Sequence, residues 1–206
     1  MKRVGLLGGA FNPPHEGHLK LARLALDFLN LDELRFVPTA QSPHKPDAPG
    51  PDSAARKRLL EHALEGFDPK AHLETIELER GGTSYTVDTL EALAQREPGT
   101  AWILAMGSDQ LAAFPGWRRP DRIVQLASLA VALRPGALPK WPAPPPGLTP
   151  VEAWSGRPGE LVALPSTDLD LASTGLRERL QEAPKAGPEG LPTRVLDVIR
   201  SENMYR

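Results

Sequence analysis

Residues 5–22 read GLLGGAFNPPHEGHLKLA, with a glycine pair, an aromatic, two prolines and two histidines where an apolar run gives way to a helical pattern. Gly8 and Gly9 allow a backbone to come close to a ligand, because no Cβ intervenes. The N-terminus of the following helix offers free N–H groups and a partial positive charge, worth about 0.3–1 kcal/mol towards an anion. His18 falls in the first turn of that helix, so its ring can face the same anion, and His15 lies one turn earlier in the loop. On these residues alone three chemistries stay open: a tight turn with solvated histidines, a zinc shared by two imidazoles, and a phosphate site. The dinucleotide pattern G-x-G-x-x-G and the P-loop are both absent, so a phosphate site here needs another design.

The elements that must position this loop follow from periodicity. Short apolar runs alternate with helical patterns, which predicts βαβ units on a parallel sheet. Strands are expected at Val4–Leu7, Leu34–Val37, Leu73–Leu78, Trp102–Met106, Leu129–Leu133 and Leu161–Leu164, all short and apolar on both faces, as buried parallel strands are. Leu21, Leu24, Ala25 and Phe28 repeat at helical spacing, with Lys20, Arg23, Asp27 and Asn30 on the opposite face. Further helices are expected at Ser53–Leu64, capped by Asp52, and at Thr86–Gln95 after Ser84. Others are expected near Arg122–Leu126, Leu176–Gln181 and Arg194–Glu202. The segments 38–52, with five prolines, and 134–150 read as loops, since a proline-rich backbone cannot enter a sheet interior. In such a sheet, ligands bind beyond the carboxyl ends of the strands, where the GGAFNPPHEGH loop lies.

Composition narrows the function classes. The 206 residues are enough for one well-buried domain, 40% of them are hydrophobic, and the net charge of −2 argues against a polymeric nucleic acid as partner. There is no cysteine, which removes disulfides and thiolate metal centres. The apolar start ends too early for a signal sequence, and no run approaches the roughly 18 apolar residues of a membrane span, so a cytoplasmic protein without a membrane partner is expected. The 23 prolines, 17 arginines against 7 lysines and 3 asparagines fit a heat-stable protein or a GC-rich coding bias. A homo-oligomer stays open.

The loop resembles a known signature. GGAFNPPHEGH is similar to the G-x-F-[DN]-P-x-H-x-G-H pattern of the HxGH nucleotidyltransferase superfamily, whose members join a phosphate or another nucleophile to the α-phosphate of a nucleoside triphosphate. The same superfamily carries S-[ST]-x-[IL]-[RK] near its C-terminus, and ASTGLRERL supplies Ser173, Thr174, Leu176 and Arg177. Two hydroxyls at a helix start and a guanidinium one turn later suit the β- and γ-phosphates. Ser166-Thr167-Asp168-Leu169 imitates this motif but has Asp170 where the cation belongs. Ala172 stands where the family more often has serine. The resemblance implies a Rossmann-like, doubly wound parallel α/β sheet formed by a single domain, residues 1–206. Its C-terminal helical part, about 173–206, would complete the ATP site.

Four further segments resemble nicotinate mononucleotide adenylyltransferases. SPHKP implies that His44 and Lys45 bring positive charge over the reacting phosphates. GGTSYTVDTL implies that Ser84, Tyr85 and Thr86 receive the substrate, with Thr86 and nearby N–H groups holding the pyridine carboxylate. MGSDQLAAFPGW implies Asp109 on a ribose hydroxyl and Trp117 stacked on the pyridine, an interaction worth about 1–3 kcal/mol per base in nucleic-acid systems. LRPG places Arg134 near the nucleotide. The ATP site would then comprise Gly8, Gly9, Phe11, His15, His18, Asp109, Arg134, Ser173, Thr174 and Arg177, with His18, Lys45 and Arg177 acting on the phosphates. Mg²⁺ is the implied cofactor, carried mainly by ATP rather than by protein ligands. The implied reaction is ATP plus nicotinate mononucleotide giving deamido-NAD and pyrophosphate. Nicotinamide mononucleotide or phosphopantetheine as acceptor, a cytidylyltransferase, and a nucleotide-binding regulator without catalysis are the competing readings.

Overall fold

Alternation along each strand decides which face of the sheet its side chains cover, and two cores result. The computed structural model describes residues 1–43, 49–132, 144–165, 173–182 and 187–205. Its strands are β1 Arg3–Gly9, β2 Glu33–Pro38, β3 Ala71–Leu73, β4 Ala101–Gly107, β5 Ala127–Ala132, β6 Thr149–Val151 and β7 Glu160–Leu164. They form one sheet in the order β3-β2-β1-β4-β5-β7-β6, with every neighbouring pair parallel. Val4 and Leu6 of β1 join Trp102, Leu104 and Met106 of β4 on one face. Leu7, Ala101, Ile103 and Ala105 join the core on the other. This is the doubly wound α/β fold expected from sequence.

The helices are α1 Glu16–Phe28, α2 Ser53–Leu64, α3 Ile76–Arg80, α4 Thr86–Arg96, α5 Ser108–Ala113, α6 Pro120–Leu126, α7 Ser173–Glu182 and α8 Thr193–Ser201, with a 3₁₀ turn at Phe114–Gly116. Buried residues of α1, α2, α7 and α8 cover one face of the sheet, and those of α4, α5 and α6 cover the other. Asp52 caps α2 as expected, its Oδ1 accepting from the Ala55 N–H at 2.8 Å. Gly5 lets the Leu31 side chain pack close over β1, since a Cβ there would lie 2.6 Å from Leu31 Cδ1. None of the helices among the described residues is long and apolar enough to cross a membrane.

Four expectations need correction. The buried stripe of α1 is Leu19, Ala22, Ala25 and Leu26, while Leu21 and Leu24 are half-buried and Phe28 is 48% exposed, because the sheet covers the neighbouring face of the helix. The apolar spacing at Leu73–Leu78 is not one strand: β3 ends at Leu73 and Ile76 begins α3. The change of structure is accompanied by Glu74, whose carboxylate is drawn to Arg35 and Arg96 and accepts from the Ile76 N–H at 3.2 Å. Segment 134–150 is not all loop, because Thr149 and Pro150 belong to β6, an edge strand where a missing N–H is tolerated. Tyr85 is the N-cap residue of α4, and Ser84 instead accepts from the Ala40 N–H at 2.9 Å.

One ionic cluster ties the β3 side of the sheet together. Arg35 of β2 is 7% exposed, and its guanidinium bonds Glu33 at 2.6 Å and Glu97 at 2.6 and 2.8 Å. Glu74 lies 3.3 Å from it, and the Trp102 ring centroid 5.4 Å away. Removing one member of a buried ion group leaves the others uncompensated. Arg35→Met is therefore expected to lower the unfolding free energy by about 3 kcal/mol in urea denaturation. The hydrogen bond from Arg35 holds the Glu97 carboxyl down to about 2 from an ordinary 4.5. A depressed carboxyl pKa contributes stability that is complete above about pH 4.5 and lost as pH falls towards 2. The wild-type urea midpoint should fall in that window, and Arg35→Met should remove part of that slope.

Candidate active site

The chain leaves β1 at Gly9 and must reverse direction before α1. Phe11 takes a φ of 47°, in the left-handed region, and its ring is 1% exposed. That ring lies 5.9 Å from Phe36 and 4.8 Å from His18, so it forms the floor beneath the second histidine. His15 is the N-cap of α1 and His18 is the third residue of the helix. Their ring centroids are 3.7 Å apart. The His15 backbone N–H donates to His18 Nδ1 at 3.2 Å, which leaves the proton of the neutral ring on Nε2. Burial brings His15 down to about 4, and burial with the neighbouring His15 brings His18 well below its ordinary value. At neutral pH the ligand-free site therefore presents an uncharged imidazole with a directed N–H.

The loop is held by groups remote in sequence. Asn12 accepts the Arg177 Nη1 donor at its carbonyl, 2.8 Å, and the Tyr205 hydroxyl at its Oδ1, 2.7 Å. Its Nδ2 donates to the Pro49 carbonyl at 3.0 Å. A Cβ on Gly50, which has a φ of 138°, would lie 2.4 Å from Asn12 Oδ1. Arg56, buried on α2, donates to the carbonyls of Ala10, Thr39 and Ala40 at 2.6–3.0 Å. Burial lowers its guanidinium pKa. Ser173 Oγ lies 3.4 Å from the Pro13 carbonyl, and Arg177 Nη2 bonds Thr174 Oγ1 at 3.2 Å, which fixes the start of α7 against the same loop.

A cavity of about 830 Å³ opens beyond the carboxyl ends of β1 and β4, where the strand order reverses. Gly8, Gly9, Phe11, His15 and His18 line it from the loop. Ser84, Tyr85 and Thr86 line it from the start of α4, Asp109 from α5, Trp117 from the turn after it, and Ser173, Thr174 and Arg177 from α7. A Cβ on Gly8 would meet nothing within 4 Å, so space is kept open over that backbone. Trp117 is half-buried and packs at 5.4 Å on Phe114. His44, Lys45 and Arg134 lie outside the described residues. Among the described residues no three His, Cys, Asp or Glu side chains gather where they could hold a metal ion.

The sequence profile described as cytidylyltransferase-like matches residues 6–179. The chain belongs to that family. It is 39% identical, over 95% of its length and 91% of the relative's, to a Herpetosiphon aurantiacus protein named "Probable nicotinate-nucleotide adenylyltransferase". A Gloeobacter violaceus protein of the same name is 36% identical over 99% of this chain and 96% of the relative. Among solved structures, the nicotinic acid mononucleotide adenylyltransferase of Plasmodium falciparum, complexed with NaAD, has a similar fold. Its TM-score is 0.75 at 16% identity, covering all of this chain and 98% of that one.

Within this cytidylyltransferase-like chain, sequence reasoning gave no role to Asn12, Arg56, Arg118 or Tyr205. Arg56 left a signal, a charged residue on the face of α2 that also carries Ala55, Leu59, Leu60 and Ala63. The partners of Asn12 and Tyr205 are 193 residues apart, and no local pattern reveals such a pair. Tyr205 is 8% exposed, and burial raises its phenol pKa, so the hydroxyl remains a donor. Tyr205→Phe leaves Asn12 Oδ1 without that donor and is expected to cost about 1–2 kcal/mol of stability, measured by urea denaturation. A cost under about 0.5 kcal/mol would mean that water replaces the hydroxyl at the bond.

Proposed function

We propose that this protein is an adenylyltransferase that joins the AMP moiety of ATP to nicotinate mononucleotide, giving deamido-NAD and pyrophosphate in NAD biosynthesis. The observation that carries the reading is a single cavity with two chemically distinct ends. One end gathers His15, His18, Ser173, Thr174 and Arg177, which are donors and a cation suited to a triphosphate. The other gathers Tyr85, Thr86 and Trp117, an aromatic platform beside the N–H groups that open α4. The two relatives named above, alike over nearly their whole lengths, carry the matching name.

The chemistry asks little of a general base. The nucleophile is a phosphate oxygen of the mononucleotide, already ionised at neutral pH. It forms a bond to the α-phosphorus of ATP as the bond from that phosphorus to the bridging α–β oxygen breaks, and pyrophosphate leaves with the electron pair. Catalysis then consists of in-line positioning and stabilisation of charge on the transferring and leaving phosphates. His18 Nε2–H is the donor to the α-phosphate, and Ser173, Thr174 and Arg177 receive the β- and γ-phosphates. Asp109 takes a ribose hydroxyl. The donor set fits a metal carried on the nucleotide: Mg²⁺ held by phosphate oxygens and water would offset their charge, with few protein ligands required. Lys45, with Arg134 and His44, is assigned to the phosphates and nucleotide on sequence resemblance alone.

Pyrophosphate release with ATP and Mg²⁺ tests the reading, comparing nicotinate mononucleotide, nicotinamide mononucleotide and phosphopantetheine as acceptors. Release is expected to be strongest with nicotinate mononucleotide, and release with phosphopantetheine alone would discard the acceptor site. His18→Ala is expected to lose roughly 10²–10³ in kcat, the usual cost of one transition-state donor. A loss under about threefold removes His18 from the mechanism. For Trp117→Ala the expected result is a rise of roughly tenfold in KM for the mononucleotide, with KM for ATP little changed. A rise confined to ATP would reverse the placement of the two substrates.

A further inference from the structure

Nicotinate and nicotinamide differ at one substituent. The carboxylate and the carboxamide share a shape but differ by a charge, so a site that separates them must do so by electrostatics or by donor–acceptor polarity. Backbone N–H groups at the start of α4 donate equally well to a carboxylate oxygen or an amide carbonyl. A fixed cation discriminates further, since it gains the charge of the carboxylate and has nothing to accept an amide NH₂.

The structure holds such a cation at the pyridine end. Arg118 follows Trp117 directly and lines the cavity with Trp117, Tyr85 and Thr86. Its Cζ stands 4.5 Å from the centroid of the Tyr85 ring, and Tyr85 is the N-cap of α4. A guanidinium stacked on an aromatic face is held in place while its edge donors remain available. It forms a loose, exposed ion pair with Asp88 Oδ2 at 3.6 Å, longer than an ordinary hydrogen bond, which an incoming carboxylate can share. The side chain is 53% exposed, which leaves room for an incoming anion. The neighbouring arginines are spent elsewhere. Arg119 and Arg122 both bond Glu91, at 3.2 and 2.9 Å, and neither lines the cavity.

We propose that Arg118 sets acid over amide selectivity, its guanidinium pairing with the carboxylate of the acceptor's pyridine ring beside the N-terminus of α4. The proposal rests on the adenylyl-transfer reading above and adds to it the residue that chooses between the two pyridine nucleotides. Arg118 touches no reacting phosphate in this arrangement, so its contribution falls on acceptor binding rather than on the chemical step.

The test compares wild type, Arg118→Gln and Arg118→Lys by pyrophosphate release at saturating ATP and Mg²⁺, with nicotinate mononucleotide and nicotinamide mononucleotide as separate acceptors. Where turnover of the amide is too slow to follow, its inhibition constant against the acid replaces its KM. Arg118→Gln is expected to raise KM for the acid roughly 10- to 100-fold, the worth of one charge-assisted hydrogen-bonded pair. It should leave kcat within about threefold and the amide's constant nearly unchanged. Arg118→Lys, which keeps the charge without the planar fork, is expected to fall between the two. Equal losses with both acceptors would mean that Arg118 only packs on Tyr85, and that result overturns the proposal, as does an unchanged selectivity ratio. A wild type that turns over the acid with its ratio unmoved by Arg118→Gln defeats this proposal alone. A wild type inactive with both pyridine nucleotides defeats the parent reading and this proposal with it.

Discussion

The carbonyl and carboxamide of Asn12 are the constraint on which the site depends. A loop that keeps space open over its backbone for a ligand has few groups to spare for its own support, so part of that support comes from distant segments. Arg177 and Tyr205 reach Asn12 from the C-terminal part of the chain, and Asn12 itself reaches Pro49. Arg56 ties the Ala10 carbonyl of this loop to the carbonyls of Thr39 and Ala40, which follow β2. α7 and the residues after α8 therefore help to hold the HxGH-like loop. That support gives the last residues a place behind the site although Tyr205 does not line the cavity. It also accounts for Gly50, where any side chain would strike the Asn12 carboxamide.

Rigidity matters because the proposed reaction offers the protein little covalent work. Donors already aimed at the developing charge lower a barrier without reorganising as it develops. His18 meets that condition in its tautomer as well as its position, since the His15 N–H occupies Nδ1 and directs the remaining proton to Nε2. Phe11 beneath and His15 beside it leave the ring few alternative orientations. The positive potential comes from helix starts and from Arg177, not from a general excess of basic residues in a chain of net charge −2. The proposed triphosphate site is a local feature of the surface, as suits an enzyme of mononucleotides and not of polymers.

Much of this was legible in the sequence, and the limits have physical causes. The short apolar strands and the Asp52 cap are local, and each is found close to where the pattern put it. The stripe of α1 is displaced, because apolar residues stand on more than one face of that helix and only packing decides which of them the sheet covers. The thirteen described residues expected in the site line one cavity, because spaced motifs fix residue types even where they fix no geometry. At Leu73–Leu78 the sequence misled, since apolar spacing there fits strand and helix equally and the long-range pull of Arg35 and Arg96 on Glu74 is invisible locally. Pro150 misled for the opposite reason: proline argues against a strand interior, and β6 is an edge. Partners nearly two hundred residues apart, such as Tyr205 and Asn12, lie beyond any periodic signal.

The identity of the N-cap residue completes the electrostatic argument. Aspartate is among the strongest helix N-caps and serine is close behind it. An aspartate at position 15 would stabilise α1 but would set a fixed negative charge beside the ring proposed to receive a triphosphate. At 4 Å two unit charges interact by about 4 kcal/mol at an effective dielectric of 20, more than a cap contributes. A histidine held neutral by burial avoids that repulsion. It also shields the neighbouring imidazole from water, and it can gain charge only in the direction that an incoming anion favours. The weaker cap is the consistent choice for a helix whose first turn has the proposed task of meeting a phosphate rather than securing its own stability.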